Sequence, residues 1–336
     1  MPLTSRCKRY LRPALLAVAR LCQLAVVIWS ALSLYWFVVP LPWLQVLLSA
    51  GFLALALTAL FFRPSPRLFK VLSAAVLLVL VGWIAKRPTH AREWRPEMAV
   101  MPSARIDGDE VTLHHVRDFN YRSKSDFDVR YEDREIRLSD LQSVDFLVSH
   151  WSSDAVAHTF VSFNFGNAEP VCISIEARLE MGETYSPVAS CFKEAELIYI
   201  VGSERDLIRV RTDFRDEKVY LYRTRATPAV ARRLFLSYLE KINELAAKPE
   251  FYHLLSNNCT VNILRHTREE GTRGEFDMRI LLNGYVDGYA YTRGALDTTM
   301  PFAELRAASL VSPTAAGVGE ARDFSSRIRA HLPAAP

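Results

Sequence analysis

No charged residue occurs between Arg20 and Arg63. This apolar stretch contains two blocks, Leu21 to Val39 and Leu41 to Phe62, separated by the kink Val39-Pro40-Leu41-Pro42, and each is near the ~20 residues needed to cross a bilayer. A third block, Leu68 to Ala85, holds the run VLSAAVLLVLVGWIA bounded by Lys70 and Lys86, whose long stems can reach a polar interface. Runs so long and so free of charge are foreign to soluble cores, and no small-residue cleavage pattern follows the first. The sequence therefore predicts a three-helix membrane anchor over residues 1–87.

Basic residues set its direction, because short cytoplasmic segments are enriched in Lys and Arg. Arg6, Lys8, Arg9 and Arg12 precede the first block, and Arg63, Arg67 and Lys70 lie between the second and third. Both clusters belong on one side, which makes the amino terminus cytoplasmic and the long carboxy-terminal part extracytoplasmic. In a bacterium this is a multi-pass protein of the inner membrane with a periplasmic domain. Charge also narrows the partners. Residues 1–88 carry ten Lys or Arg and no Asp or Glu, which leaves 31 basic against 37 acidic residues in the remainder, net −6. Nothing there suits a phosphate backbone, so nucleic acid is not an expected partner.

Residues 88–104, with three prolines, read as a connector, and the domain is expected over 105–308. Its first half is a series of strand-like runs: EVTLHHV at 110–116, VDFLVSHW at 144–151, HTFVSFNF at 158–165, VCISIE at 171–176, LIYIVG at 197–202 and KVYLYR at 218–223. These predict an antiparallel or mixed sheet. Helices follow. Pro228 opens an amphipathic run with Val230, Leu234, Leu236, Leu239, Ile242 and Leu245 at helical spacing, and a second helix is expected from about Asn258 to Gly271. The tail 309–336, rich in Ala, Ser, Pro and Gly, reads as flexible.

Of five cysteines, Cys172, Cys191 and Cys259 fall in the exported part. An oxidising compartment can pair Cys172 with Cys191 and leave Cys259 over. Cys259 follows Ser256-Asn257-Asn258 at the expected helix start, where unsatisfied N–H groups and the helix dipole lower a thiol pKa and stabilise an oxyanion. A nucleophilic thiol needs a base, and His158, at the start of a strand, is the best of eight histidines. Glu176 is the first choice for the group that orients the imidazole and Ser174 the second. Asn258, Asn257 and Tyr252 are candidate oxyanion or support residues. A lone Cys at a helix start is also commonly an inert apolar residue, and His158 alone suits a hydrogen-bonded sheet position. His114, His115 and His150 lack metal-ligand spacing, and no phosphate-cradling Gly-rich loop occurs, so neither metal nor cofactor is expected.

Several blocks, in order, carry a resemblance: Val116-Arg117-Asp118-Phe119-Asn120-Tyr121-Arg122, VDFLVSHW, His158-Thr-Phe-Val-Ser-Phe, Ser174-Ile-Glu176-Ala-Arg178, ELIYIVGSERDLIRVR, and Phe251-Tyr252 leading to Asn257-Asn258-Cys259-Thr260. Over about residues 110–290 the chain resembles the Lnb-type periplasmic domain, a family named after a bacterial lipoprotein N-acyltransferase. More distantly, a His on a strand ahead of an Asn-Cys at a helix start is similar to the circularly permuted papain-like acyltransferases of the lecithin:retinol type. The resemblance implies a permuted papain-like α+β fold in which His158 deprotonates Cys259 and a thioester passes its acyl group to an amine or to water. In the namesake the membrane part follows the domain, whereas here the three apolar blocks precede it.

The leading expectation is a membrane-tethered acyltransferase or hydrolase acting on lipid-linked acyl groups, with membrane lipids and lipoproteins as partners. A peptidoglycan amide hydrolase with the same dyad and a non-catalytic envelope scaffold are the alternatives.

Overall fold

The computed structural model describes residues 5–37, 41–269, 277–319, 321 and 323–333. The expected Val39-Pro40 kink and the helix stop at Gly271 lie outside them. Helices α1 (Ser5–Phe37), α2 (Pro42–Leu57, continued as a π-helical turn over Thr58–Phe62) and α3 (Pro66–Ala85) match the three apolar blocks. Each is long and apolar enough to cross a membrane. Small residues let them approach: Ala31 and Ala56 are buried with Val27, Phe52 and Leu72, and Trp29 packs edge-on to Trp83.

The segment Ser186–Glu194 forms one compact unit with these helices, and Thr89–Tyr185 forms a second with Ala195–Pro336. Within the first unit Phe192 stacks on Trp36 at 5.5 Å, and the Lys193 ammonium donates to the Trp83 carbonyl at 2.7 Å. Lys193 thereby caps the carboxy-terminal end of α3, where helix carbonyls lack partners.

The second unit is built on strands β1 (Ser103–Asp107), β2 (Glu110–Arg117), β3 (Asn120–Tyr121), β4 (Phe127–Asp128), β5 (Tyr131–Arg137), β6 (Leu141–Ser153), β7 (Val156–Phe165), β8 (Val171–Arg178) and β9 (Glu196–Gly202), then helix α4 (Glu204–Arg209) and strand β10 (Lys218–Arg223). Helices α5 (Pro228–Ala247), α6 (Cys259–Glu269), α7 (Met278–Leu281), α8 (Val286–Thr292), α9 (Phe302–Ala308), α10 (Ser312–Val318) and α11 (Phe324–Arg329) follow. The eight-stranded sheet runs β1-β2-β9-β8-β7-β6-β10, with β5 also on β2; β2 meets β9 in parallel and the other pairs are antiparallel. The expected mixed α/β domain with a sheet behind three apolar helices is what forms.

Its two faces differ because β7 alternates. Phe163 and Phe165 point to Phe235 of α5, and Phe163 also meets Tyr238. On the opposite face Ser162 donates to Glu204 of α4 at 2.5 Å, and Asn164 donates to Asp145 at 3.0 Å. One face is an apolar core and the other a buried polar layer.

Two expectations are corrected. Of the expected connector 88–104, residues 89–104 are part of the packed domain: Trp94 and Met98 are buried, His90 Nε2 lies 3.0 Å from the Leu245 carbonyl, and Arg92 pairs with Glu180 and Glu196. The tail beyond 309 is helical over α10 and α11, with Phe324 and Ile328 buried. The reason is Arg329, whose guanidinium lies 2.8 Å from Asp145 and also binds Glu204, two buried carboxylates that need a cation. Composition concealed this one residue's role.

Arg329→Ala would leave both carboxylates uncompensated. A loss of about 3–5 kcal/mol is expected, roughly 6–20 °C in the melting temperature of the domain. Arg327 pairs with Asp323 at 2.9 Å with both side chains exposed, and Arg327→Ala is expected to cost no more than about 1 kcal/mol. Thermal unfolding of the full chain in detergent checks the pair; equal small effects would show that the tail is not clamped.

Candidate active site

The turn leading into α6 is tied down at several points. Leu197 N donates to Glu250 O at 2.8 Å and Tyr252 N to Ala195 O at 3.0 Å, which attaches the turn to the start of β9. Asn258 then caps α6: its Oδ1 accepts from Val261 N at 2.8 Å, its carbonyl accepts from Asn262 N at 3.0 Å, and its amide donates to Leu254 O. Asn257 donates to Phe251 O at 2.9 Å and accepts from Asn262 and Arg265, each at 3.0 Å. Both Asn side chains are thus spent on the turn and the cap. These contacts make both side chains supports of the turn that presents Cys259. Cys259 follows as the first residue of the helix, 3% exposed.

Across the sheet, the register pairs Phe160 with Ser174 and Val161 with Ile173, so by antiparallel pairing His158 falls opposite Glu176. His158 Nε2 lies 2.7 Å from Ser174 Oγ and 3.4 Å from Glu176 Oε1, and Ser174 Oγ donates to that carboxylate oxygen at 2.7 Å. Ser174, the second choice, is therefore the nearer partner of the imidazole, and Glu176 stands behind it. With Nε2 so occupied, Nδ1 is the ring nitrogen left for the sulfur. The Cys259 thiol and the His158 imidazole, a hundred residues apart in sequence, lie close enough for each to shift the other's ionisation.

Electrostatics follow from these contacts. Burial pushes the Cys259 thiol up, but the imidazole beside it and the hydroxyl and backbone of Thr159 outweigh burial and bring it from an ordinary 9 to about 6. Burial pushes His158 down, and Glu176 with the thiolate raises it above its ordinary value. Glu176 is held well below the usual carboxylate range despite burial, by His158, by Arg211 and by the Ser174 hydroxyl.

Three participants were not foreseen. Arg211 lies on a π-helical turn after α4, 2% exposed, with Nη2 2.7 Å from Glu176 Oε1 and its guanidinium over the Phe160 ring at 4.7 Å. No spacing rule marks such a residue. Thr159 and Thr260 join hydroxyls at 3.2 Å beside the sulfur; adjacency to His158 and Cys259 was the available signal. Tyr252 is buried, hydrogen-bonds Tyr185 and lies within electrostatic reach of Cys259.

On the helical face, a cavity of about 680 Å³ lies between α5, α6, α8 and strands β6 and β7. Val161, Val230, Leu234, Ile263 and Val286 line it, and Thr159 with Thr260 form part of its wall. The same two threonines adjoin the Cys259 sulfur.

The remaining candidates scatter. His114 pairs with Asp133, His115 binds Met101 O, and His150 meets Arg306. Among the described residues no group of three or more His, Cys, Asp or Glu is arranged to hold a metal. Cys172 and Cys191, which an oxidising compartment could pair, are both free: Cys172 is fully buried in β8, and Cys191 belongs to the segment grouped with the apolar helices.

The thiol pKa of about 6 predicts that alkylation of Cys259 rises with pH through about 6 and then levels off. The sign follows from the pair: protonated His158 stabilises the thiolate, so the reactive form is lost as pH falls below that value. Glu176→Gln removes the charge that keeps the imidazole protonated and should move the profile to higher pH. Rates of iodoacetamide labelling followed by mass spectrometry check both; a profile centred at 9 would falsify the pairing.

Residues 127–284 match the Lnb N-terminal periplasmic domain family, and that segment holds His158, Ser174, Glu176, Arg211 and Cys259. The chain carries that domain, which associates it with the cell envelope. No curated protein and no solved structure matches it.

Proposed function

With an Lnb N-terminal periplasmic domain behind three apolar helices as the premise, we propose that this chain is a membrane-tethered periplasmic thiol acyltransferase or hydrolase of lipid-linked acyl groups, on a permuted papain-like domain. The helices anchor it in the inner membrane with the amino terminus cytoplasmic. One observation carries the reading: a buried thiol held at about 6 by an imidazole that is itself backed by Ser174, Glu176 and Arg211. A structural cysteine has no use for such a chain, since burial alone raises a thiol pKa, as it does for Cys172.

The geometry supports a defined sequence of steps. His158 takes the Cys259 proton, and the thiolate attacks an acyl carbonyl. The oxyanion forms at the first turn of α6, where the Cys259 and Thr260 N–H groups have no intrahelical acceptor. His158 returns the proton to the departing alcohol, leaving a thioester on Cys259. An amine or water, deprotonated by the same imidazole, attacks the thioester and releases the acyl group with the thiol restored. Ser174 and Glu176 hold the ring and favour its charged form, while Tyr252 lines the approach to the sulfur.

The cavity favours an acyl chain over a sugar or peptide. Its volume lies within the roughly 300–1,000 Å³ of small-molecule sites, and most of its surface is apolar, although threonines, Arg225 and Arg293 also line it. A muropeptide would find partners for its polar groups only at the threonines, Asp145, Arg225 and Arg293 of the wall, and over the remaining apolar surface those groups would go unpaired.

The full chain is expected to form an acyl-Cys259 adduct, labile to hydroxylamine, with phospholipid or lipoprotein in vesicles. Cys259→Ala abolishes it, and His158→Ala slows it by about 10²–10⁴-fold. Mass spectrometry reads the adduct. An adduct with muropeptides alone would overturn the lipid reading, and full complementation of a deletion by Cys259→Ala would overturn catalysis.

A further inference from the structure

Exposed large apolar side chains are unevenly spread over the second unit. Among its described residues, all except Ile106 and Val129 fall at position 151, at 181–185, at 255 and at 278–285. Several of those places adjoin the candidate active site. Trp151 and Tyr185 meet edge-on at 6.2 Å, and Tyr185 meets Tyr252, beside Cys259, at the same distance. Leu255 stands in the turn that Asn258 caps, four residues before the nucleophile.

Residues 278–285 are brought to the same edge by the β6–β7 hairpin tip. Asn283 Oδ1 accepts from Ala157 N at 2.9 Å, one residue before His158, and Gly284 N donates to Ala155 O at 3.1 Å. Gly284 is required there: a Cβ would meet Asp154 O at 2.1 Å. The close approach fixes the segment that shows Leu281, Leu282 and Tyr285 to solvent, at 40%, 45% and 41% exposure.

We infer that this aromatic and aliphatic rim inserts into the outer leaflet of the bilayer the chain is anchored in, so that the mouth of the Cys259 site opens onto lipid. Trp and Tyr flanked by Leu are the side chains that settle at a membrane interface, and a cluster of this kind on a soluble surface marks an interaction site. Sequence adds the occupant. Tyr185 is followed directly by the segment 186–194, whose Phe192 and Lys193 pack with Trp36 and Trp83 at the ends of membrane-length helices. The second unit begins at Thr89, four residues after α3 ends, a span of at most about 14 Å.

Charge argues that insertion is apolar and does not select anionic lipid. Within these segments Arg279 is the only Arg or Lys, and it is paired with Asp277 at 2.7 Å, while Asp154 and Glu183 add negative charge. Zwitterionic lipid should suffice, and salt should not release the rim.

The inference rests on the proposal that α1–α3 span a bilayer, and the test separates the two. The full chain and its Trp151→Phe variant are reconstituted in phosphatidylcholine vesicles with and without bromine on the acyl chains, and the difference spectrum isolates Trp151. Its emission should fall by about twofold or more on bromination, at low and at high salt. In parallel, the Leu281→Glu/Leu282→Glu variant should form acyl-Cys259 from vesicle lipid at least about tenfold more slowly while iodoacetamide labels Cys259 at the unaltered rate. A chain that does not float with the vesicles overturns the anchor and the rim together. A chain that floats with Trp151 unquenched overturns the rim alone, including the case in which a second copy covers the patch. If Trp151 is quenched and no lipid acylates Cys259, the rim stands and the acyl-transfer reading falls.

Discussion

Everything at the candidate site depends on keeping one buried carboxylate charged. Glu176 is largely withdrawn from water, with 19% of its side chain exposed, and the convergence of Arg211, Ser174 and His158 on its oxygen offsets the desolvation. Its negative charge raises the imidazole, the imidazole lowers the thiol, and the thiol is ionised at neutral pH. Arg211 reaches Glu176 from a π-helical turn, and its stacking over Phe160 removes alternative positions for the guanidinium. Phe160 also stacks on His158, so one apolar ring orders both cations.

The polar face of the sheet extends this arrangement. Ser162 with Glu204, Asn164 with Asp145, and Arg329 with both carboxylates continue the layer along β7 away from the nucleophile. Such a layer is costly where any member lacks a partner, and here the last helix of the chain supplies one. The carboxy-terminal segment, remote in sequence from the dyad, is therefore part of what keeps the sheet face that orients His158 in place.

Sequence made the periodic elements plain and the clamps invisible. Three charge-free blocks, six strand-like runs and the amphipathic helix after Pro228 became α1–α3, β2, β6–β10 and α5 because apolar periodicity records which face is buried. His158, Glu176, Ser174 and Cys259 were legible as candidates because strand alternation and helix capping carry chemistry in local sequence. Arg211 and Arg329 were not, since each acts through one long-range ion pair, and an Ala- and Ser-rich tail looks the same whether or not one of its arginines finds a buried carboxylate. The free state of Cys172 was equally hidden: a buried small residue in a central strand and a bridging cysteine share one letter.

The position of the sulfur reconciles two demands that conflict elsewhere. An ionised nucleophile needs polar partners, whereas an acyl chain needs an apolar bed. Consecutive residues of a strand point to opposite faces, and β7 uses this at its start: His158 belongs to the polar layer and Thr159 to the helical face with the cavity. Cys259 touches both residues from the end of α6. On the proposed function, the thiolate is stabilised from one side of the sheet while the hydrocarbon would be accommodated on the other, and neither would have to enter the other's surroundings. A single strand end, with its two adjacent side chains facing apart, is the smallest structure that can divide the labour in this way.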